Sequence, residues 1–468
     1  MPGQLVQFRD ISSGKGERPV RFARDPMISR SSSSAPAADA GPAASIRVEL
    51  ADTRAMIRSE PEWSDLVTRA LEPNVFFDPA FALLLLQHDG FAGQPVFLLA
   101  WQEDGSVSRG RLAGLLPVML PPRSRLFGPG FVRGFQNKQI ALGAPLLDEQ
   151  CGMEAFEAML TELSSRDSSL NGVILTEIPA DGPFFTAWRA YCAETGRSIA
   201  ILGEHQRAAV FQRPHDRAGN FVSLPKAKRR KELRRKGRRL GDLGKISYRS
   251  AATVAEVRVA VEQFLALETN GWKGRRRTSL LSSPSLATFT RTMTRLLAYE
   301  GRCRIDSLEV DGKPVAMGIL LTAGKRAFFW KTAFDESVAH LSPGVQFVHA
   351  LTQAQAEGPH DMTDSCAIPD HPMIDHVWPD RLAMGEYIIE LCVSSSSPGR
   401  FAAAMRAEIA RRRVRKMLHT GIHMLPRKAV LEARIAFARL NFLRHRVVLF
   451  LKNRIAKAFY GAGKSETG

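Results

Sequence analysis

Residues 302–357 read RCRIDSLEVDGKPVAMGILLTAGKRAFFWKTAFDESVAHLSPGVQFVHALTQAQAE. Three aliphatic-rich runs at 302–310, 314–322 and 326–333 are separated by the triplets Asp-Gly-Lys and Ala-Gly-Lys. Short apolar runs joined by glycine-containing turns are typical of antiparallel strands. We therefore predict a three-stranded meander whose middle strand is the most buried.

The meander leads through Ser-Pro-Gly into a predicted helix over 345–355. Pro343 occupies a position at which the first turn of a helix tolerates proline. The first N–H groups of a helix lack partners within the helix, and such groups bind phosphate oxygens. The sequence therefore predicts an anion site at this helix start. Its residues are Ser342, Gly344, Val345 and Gln346.

A second candidate site lies at the end of an amphipathic helix predicted over 255–271, where apolar residues recur at periods of three and four. Glu268 falls near its C-terminus, beside Trp272 and Lys273. The helix dipole and burial both disfavour an ionised carboxylate there, which suits a general base. A plain ion pair between Glu268 and Lys273 fits the same spacing, and Trp272 is also compatible with ordinary core packing.

The segment 362–376 is rich in titratable groups. We predict that Asp364, His371 or Asp375 orients an acceptor or takes its proton. A metal site is disfavoured because the spacing is not that of helix or strand ligands, and no metal is expected. Cys366 as a nucleophile is the weaker alternative, since a small residue within a strand usually serves packing.

The chain resembles the GNAT-like acyltransferases of the CelD type, which are associated with bacterial cellulose and exopolysaccharide gene sets and are related in fold to the FemAB aminoacyltransferases. The resemblance rests on the meander, the Ser-Pro-Gly helix start, Gly271-Trp272-Lys273-Gly274, and Asp370-His371-Pro372-Met373. It covers roughly residues 46–391 and is strongest from Phe221 onward.

The resemblance implies an α/β (α+β) fold of two tandem GNAT-like domains, with mixed, mainly antiparallel sheets flanked by helices and a basic helical tail. We expect a disordered segment over 1–45 and a degenerate N-terminal GNAT-like domain over 46–220. A catalytic GNAT-like domain is then expected over 221–393, and the tail over 394–468.

The function implied by the resemblance is direct transfer of an acyl group from acyl-CoA, such as acetyl-CoA, to a sugar or cell-envelope precursor. Pyrophosphate would lie at residues 342–346, and Glu268, Asp364 or His371 would deprotonate the acceptor. Trp272, Lys273 and Asp375 would bind that acceptor. Two alternatives stay open: a FemAB-like transferase that uses aminoacyl-tRNA, and a non-catalytic scaffold of a polysaccharide synthase complex.

The composition indicates which kinds of binding partner and which cellular compartment to expect. The formal net charge is +18, and residues 226–239 hold ten Lys or Arg and one acid. This segment is interpreted as a solvated helix, as a basic wall over the active cleft or, in the FemAB-like alternative, as the tRNA contact; nucleic acid is otherwise not expected.

The basic tail over 394–468 is expected to meet an anionic membrane surface or a synthase complex. The five cysteines show neither metal nor disulfide spacing, and no apolar run reaches the roughly twenty residues of a membrane span. We therefore expect a cytoplasmic protein, peripheral at the inner membrane if the tail docks there.

Overall fold

The computed structural model describes residues 45–88, 95–103, 110–121, 130–212, 227–356, 358–391 and 398–424. Apart from Ser45, the segment expected to be disordered lies outside these residues. The expected domain boundary between residues 220 and 221 lies outside them too, as does the part of the basic tail beyond Met424.

The described residues up to Phe401 belong to one compact unit, which contains two halves. The first half is residues 45–212. Its elements are β1 (Ile46–Ala51), α1 (Thr53–Arg58), α2 (Glu60–Thr68), α3 (Pro79–His88), β2 (Val96–Gln102), β3 (Arg111–Met119), β4 (Phe131–Gly134), β5 (Leu146–Leu147), α4 (Gly152–Arg166), β6 (Gly172–Pro179), α5 (Pro183–Thr195) and β7 (Ile199–Phe211).

The second half is residues 227–391. Its elements are α6 (Ala227–Gly241), β8 (Ile246–Ala251), α7 (Val254–Asn270), α8 (Trp272–Arg275), α9 (Pro284–Tyr299), β9 (Cys303–Val310), β10 (Lys313–Ala323), β11 (Arg326–Phe334), α10 (Pro343–Ala356), β12 (Met362–Asp364) and β13 (Asp380–Glu390). Short 3-10 helices occupy Val75–Phe77, Leu280–Ser282 and Glu336–Leu341.

A second unit begins at Ala402, within helix α11 (Pro398–Met424). In the part of the chain that the structure describes, no helix is both long and apolar enough to cross a bilayer.

The two halves repeat one strand pattern. Strands β1, β2, β3 and β4 pair antiparallel in succession, and β6 then pairs parallel to β4. Strands β8, β9, β10 and β11 likewise pair antiparallel in succession, and β12 pairs parallel to β11. Along the chain, a helix connects the two parallel strands of each half: α4 precedes β6 in the first half, and α10 precedes β12 in the second. The fold is therefore a mixed α/β fold with a large, mostly antiparallel sheet in which one pattern occurs twice.

The last strands of the two halves are exchanged within that sheet. The central strand order is β6-β13-β7-β12, so each last strand lies beside the parallel strand of the other half. Strand β13 pairs with β6 and β7, and β7 pairs with β12. Separating the halves would break these backbone ladders, which explains why they form one compact unit.

The predicted meander is confirmed as β9, β10 and β11, and the middle strand is buried along most of its length. Helix α10 starts at Pro343. The connection between β11 and α10 contains a 3-10 helix at Glu336–Leu341. It starts there because the Asp335 side chain accepts a hydrogen bond from the Ser337 N–H at 2.9 Å.

Aromatic side chains join the halves in the core. The ring of Phe76 lies 5.2 Å from that of Phe328, edge to face, and Phe81 lies 5.8 Å from Trp330 in the same manner. The indole N–H of Trp330 also donates to the Gln139 carbonyl at 2.9 Å. These contacts fix the middle of β11 against the first half.

Candidate functional site

Strand β11 has one edge that lacks a strand partner over part of its length. Strand β12 pairs with β11 only between Arg326 and Phe328, whereas β11 continues to Phe334. In the sheet formed by the described residues, β10 pairs with one edge of β11, and β12 is the only strand that pairs with the opposite edge. Strand β12 ends at Asp364, opposite Phe328, so residues 329–334 have one edge without a strand partner, which we call the wedge. The chain beyond them leads to the start of α10.

The start of α10 has the features predicted for an anion site. Ser342 adopts the left-handed conformation with φ of 56°, and its hydroxyl accepts a hydrogen bond from Lys236 Nζ at 3.0 Å. The Gln346 N–H already donates to the Ser342 carbonyl at 3.1 Å. Because proline has no N–H, the first-turn donors before Gln346 are those of Gly344 and Val345.

The loop after β12 packs on this helix start. A Cβ on Gly344 would lie 2.5 Å from Met373 Sδ and 3.4 Å from the Phe334 ring. Any side chain at position 344 would therefore displace the Met373 side chain. The structure thus brings the Ser-Pro-Gly and Asp-His-Pro-Met segments together.

Glu268 is buried, and both of its carboxylate oxygens accept hydrogen bonds. One accepts from Lys273 Nζ at 2.7 Å and the other from the Leu280 N–H at 2.7 Å. Lys273 Nζ also donates to the Thr332 carbonyl of β11 at 3.2 Å. The Glu268–Lys273 pair, one of the two interpretations of the spacing, is present and ties α8 to the open part of β11.

Trp272 begins α8 and is 45% exposed. The guanidinium of Arg276 lies 5.3 Å from the centre of its ring. The backbone N–H of Trp272 donates to the Glu336 carboxylate at 2.5 Å. The ring is therefore a surface group beside the wedge, and core packing does not account for it.

Asp364 is fully buried at the end of β12 and is engaged on both oxygens. One oxygen forms an ion pair with Arg207 of β7, and the other accepts from the Cys366 N–H at 2.9 Å. Arg207 also donates to the Ala141 carbonyl at 2.8 Å and to Glu177 at 3.1 Å. This arrangement ties the end of β12 to the first half.

His371 accepts hydrogen bonds at Nδ1 from the N–H groups of Met373 and Ile374, both at 3.3 Å. Burial lowers the pKa of His371, with Asp375 opposing this effect and Lys273 adding to it. The ring is therefore neutral at pH 7 with its proton assigned to Nε2. Asp375 lies 3.8 Å from Arg381 through one oxygen, while its buried Oδ1 has no hydrogen-bond partner among the described residues.

Cys366 and metal binding were the weaker alternatives for this region. Burial, followed by the charge of Asp364, raises the pKa of the Cys366 thiol. Such a thiol stays protonated and is a poor nucleophile. Within the described ranges, no three His, Cys, Asp or Glu side chains are grouped to hold a metal ion.

Lys331 lines the candidate site and was not among the residues predicted from the sequence. It lies on the open part of β11, and its Nζ is 4.9 Å from the centre of the Trp330 ring. Burial, with a smaller contribution from Lys273, lowers the pKa of Lys331 to about 8. No carboxylate within the described residues pairs with it. A lysine inside the apolar run AFFWKTAF was the available signal.

A cleft of about 800 Å³ lies between the two halves. The first half supplies the loop 135–143 together with residues of β6 and β7. The second half supplies Trp330 and Lys331 of β11, residues 366–369 and Glu386. We call this space the inter-half cleft. Lys331 lies in its wall, so the cleft and the open edge of β11 meet at this residue.

Residues 227–370 match a family model described as an acetyltransferase (GNAT) domain. The chain is an acyltransferase, and the matched segment is its GNAT domain. Eight of the ten predicted site residues fall inside the match, His371 follows it directly, and Asp375 lies five residues beyond its end. No curated protein matches the chain by sequence.

Three solved structures are similar to this chain in outline. FemX is 10% identical, with 70% of this chain and 95% of that chain covered and a TM-score of 0.45. The C-terminal domain of a putative lysylphosphatidylglycerol synthetase from Agrobacterium fabrum is 14% identical, with 75% of this chain and 95% of that chain covered and a TM-score of 0.43. A tandem GNAT protein from the clavulanic acid biosynthesis pathway is 15% identical, with 75% of this chain and 100% of that chain covered and a TM-score of 0.35.

Proposed function

We propose that this protein transfers an acyl group from acyl-CoA directly to an amine or hydroxyl of an acceptor. The observation that carries the proposal is the open edge of β11 at residues 329–334, which leads to the start of α10. An extended ligand with amide groups can add to an unpaired strand edge through backbone hydrogen bonds, as the pantetheine arm would. When bound, acyl-CoA supplies the activated acyl group.

The residues at the start of α10 suit the pyrophosphate of that ligand. The N–H groups of Gly344 and Val345 lie at the positive end of the helix dipole. Lys236 is held beside them through Ser342 and adds a positive charge. Oriented N–H groups and a nearby lysine are favourable partners for phosphate oxygens.

The acceptor in this proposal is a sugar or a cell-envelope precursor, bound in the inter-half cleft. Support comes from the cleft's many hydrogen-bonding side chains, among them Gln136, Asn137, Gln139 and Glu177. Such groups can bind a hydroxyl-rich ligand. Residues 221–393 would then carry the chemistry, while residues 46–220 would hold the acceptor.

The predicted site residues take different roles in this proposal. Glu268 and Asp364 are positioning residues, because their oxygens are committed to Lys273, Leu280, Arg207 and Cys366. The neutral His371 offers its Nε2–H as a hydrogen-bond donor.

Two of the predicted acceptor-binding residues keep that role in the proposal. Trp272 offers an exposed aromatic surface beside the wedge. Asp375 offers its unpaired buried oxygen. Lys273 borders the wedge, where it links Glu268 to the Thr332 carbonyl.

The alternative donor is aminoacyl-tRNA, and the exposed cationic face of helix α6 favours it. Its exposed side chains include the cations Lys231, Arg234, Arg235, Arg238 and Arg239, while Leu240 is buried on the opposite face. A row of cations beside the α10 start is also suited to a phosphate backbone. The predicted basic segment begins at residue 226, outside the described residues, and its side chains are described from Lys231 onward.

The test is thermal unfolding with acetyl-CoA, free CoA or bulk tRNA. A ligand at about a hundred times its Kd stabilises the folded state by about 2.7 kcal/mol, which raises Tm by a few degrees. We expect stabilisation by both CoA species but none by tRNA. Lys236→Gln should reduce the CoA effect, because the cation at Ser342 is lost.

Lys325→Gln is the matched control, since it removes one lysine charge from the opposite end of β11. It should retain the full CoA effect. Stabilisation by tRNA alone would replace acyl-CoA with aminoacyl-tRNA as the donor. Equal loss in both variants would remove the assignment of the phosphate site.

A further inference from the structure

We propose that Lys331 is the general base of the acyl transfer, and this inference rests on the function proposed above. Its Nζ takes the proton of the acceptor's amine or hydroxyl as that atom attacks the acyl carbonyl carbon. Two independent features lead to this assignment: Glu268, Asp364 and His371 are already engaged, and Lys331 stands where the two ligand sites meet.

Other contacts hold the three bases that the resemblance implies, Glu268, Asp364 and His371. Both oxygens of Glu268 and both oxygens of Asp364 accept hydrogen bonds or pair with a cation. His371 uses Nδ1 to accept from two backbone N–H groups, and its other nitrogen carries the proton. Each carboxylate oxygen of Glu268 and Asp364 is therefore already engaged, and the lone pair of neutral His371 is already in use.

Lys331 differs from these groups in its contacts. Its amine faces the Trp330 ring at 4.9 Å and has no hydrogen-bond or ion-pair partner in the part of the chain that the structure describes. It stands on the open edge of β11, where the acyl donor would add, and in the wall of the inter-half cleft, where the acceptor would bind. A single amine thus lies at the junction of both ligand sites.

The surroundings of Lys331 favour its neutral form. Desolvation disfavours the ammonium, and the like charge of Lys273 adds to this, while Glu268 and Cys366 act in the opposite direction. Other charged groups of the cleft wall are Lys138, Glu177, His205, Arg207 and Glu386. With a pKa of about 8, roughly a quarter of the amine is neutral at pH 7.5. A base with a pKa close to the working pH is the most effective.

The proposed step is balanced in protons and electrons. The Lys331 lone pair takes the proton from the acceptor atom, and that atom bonds to the carbonyl carbon. The carbon–sulfur bond breaks, and its electron pair leaves with the sulfur as thiolate. The proton on Nζ then passes to the thiolate or to water, which restores the neutral amine.

The first arm of the test needs no acceptor. The full-length protein is labelled with acetic anhydride between pH 6 and pH 11, and the modification of each lysine is measured by peptide mass spectrometry. We expect the labelling of Lys331 to rise with a midpoint near pH 8, and exposed Lys325 serves as the control lysine. Saturating acetyl-CoA should protect Lys331 and leave Lys325 reactive. A midpoint of Lys331 above about 10 overturns the proposal.

The second arm measures thiol release from acetyl-CoA, with glucosamine as the probe acceptor and with water alone. Lys331→Met should lower kcat by about 100-fold or more and leave KM for acetyl-CoA nearly unchanged. Lys331→Arg should be equally slow, because its guanidinium stays protonated, and added ethylamine should partly restore Lys331→Ala. Full activity in the Arg variant would show that charge alone matters and would refute the assignment.

The two arms separate this inference from the proposed function. If acetyl-CoA neither protects Lys331 nor stabilises the protein, the acyl-CoA proposal fails, and the general base assigned here falls with it. If acetyl-CoA protects Lys331 but Lys331→Met keeps the wild-type rate and pH profile, only the general base is wrong. If wild-type protein releases no thiol with either acceptor, the labelling midpoint decides.

Discussion

Replacing Lys331 with methionine should stabilise the folded protein at neutral pH. The change keeps most of the apolar stem and removes the ammonium, which burial disfavours. Folding lowers the pKa of the Lys331 amine from 10.5 to about 8. Because one pKa unit corresponds to roughly 1.36 kcal/mol, folding destabilises the protonated amine by at most about 3.4 kcal/mol. Because Lys331 is only half-buried, we expect about 2 kcal/mol.

The pH dependence gives this prediction its sign. Between pH 8 and pH 10.5 the unfolded chain binds a proton at Lys331 and the folded chain does not, so the contribution of this residue to the free energy of unfolding rises with pH. The advantage of Lys331→Met should therefore be full below pH 8 and absent above about pH 10.5.

The measurement is urea unfolding of both proteins at pH 7 and pH 10.5, followed by tryptophan fluorescence. Lys325→Met is the control, because its side chain is exposed, and its effect should be small. A Lys331→Met protein that is less stable than wild type at pH 7, or equally stabilised at both pH values, would refute the reasoning. A lysine that destabilises the fold is expected where function requires it.

Two further predictions concern packing. Asp364→Asn removes the buried carboxylate partner of Arg207, which keeps only the half-exposed Glu177, and should lower the free energy of unfolding by up to about 3–5 kcal/mol. Asp364→Leu combined with Arg207→Met should recover most of this loss, and a single-variant loss below about 1 kcal/mol in urea unfolding contradicts the prediction. Gly318→Ala places a Cβ 2.3 Å from the Phe329 ring and should destabilise by about 1–3 kcal/mol, while Gly203→Ala, with open space around it, should not; equal Tm values for the two would disprove the overpacking.

Local interactions explain what sequence reasoning recovered in the site. Glu268 and Lys273 are five residues apart, and their pairing was one of two stated interpretations. The first turn of α10 was recognised from Pro343, whose position depends only on backbone geometry. The roles predicted for Trp272, Asp375 and the α10 start stay proposals.

Long-range contacts explain what sequence reasoning missed. The ion pair between Asp364 and Arg207 was missed, because Arg207 lies 157 residues away along the chain. Lys331 was passed over because its chemistry comes from burial at the inter-half cleft, which is formed by both halves. No short window of sequence contains either fact.

The sequence by itself determined the local elements: the meander of β9 to β11, the amphipathic α7 and the helix that follows Ser-Pro-Gly. Alternation, helical periodicity and turn residues act over a few residues, so they can be recognised without a partner. Only the tertiary structure decided the exchange of β7 and β13, the inter-half cleft and the position of Lys331 in its wall. A strand's partners and a side chain's burial depend on distant residues that fold against it, and local patterns do not specify them.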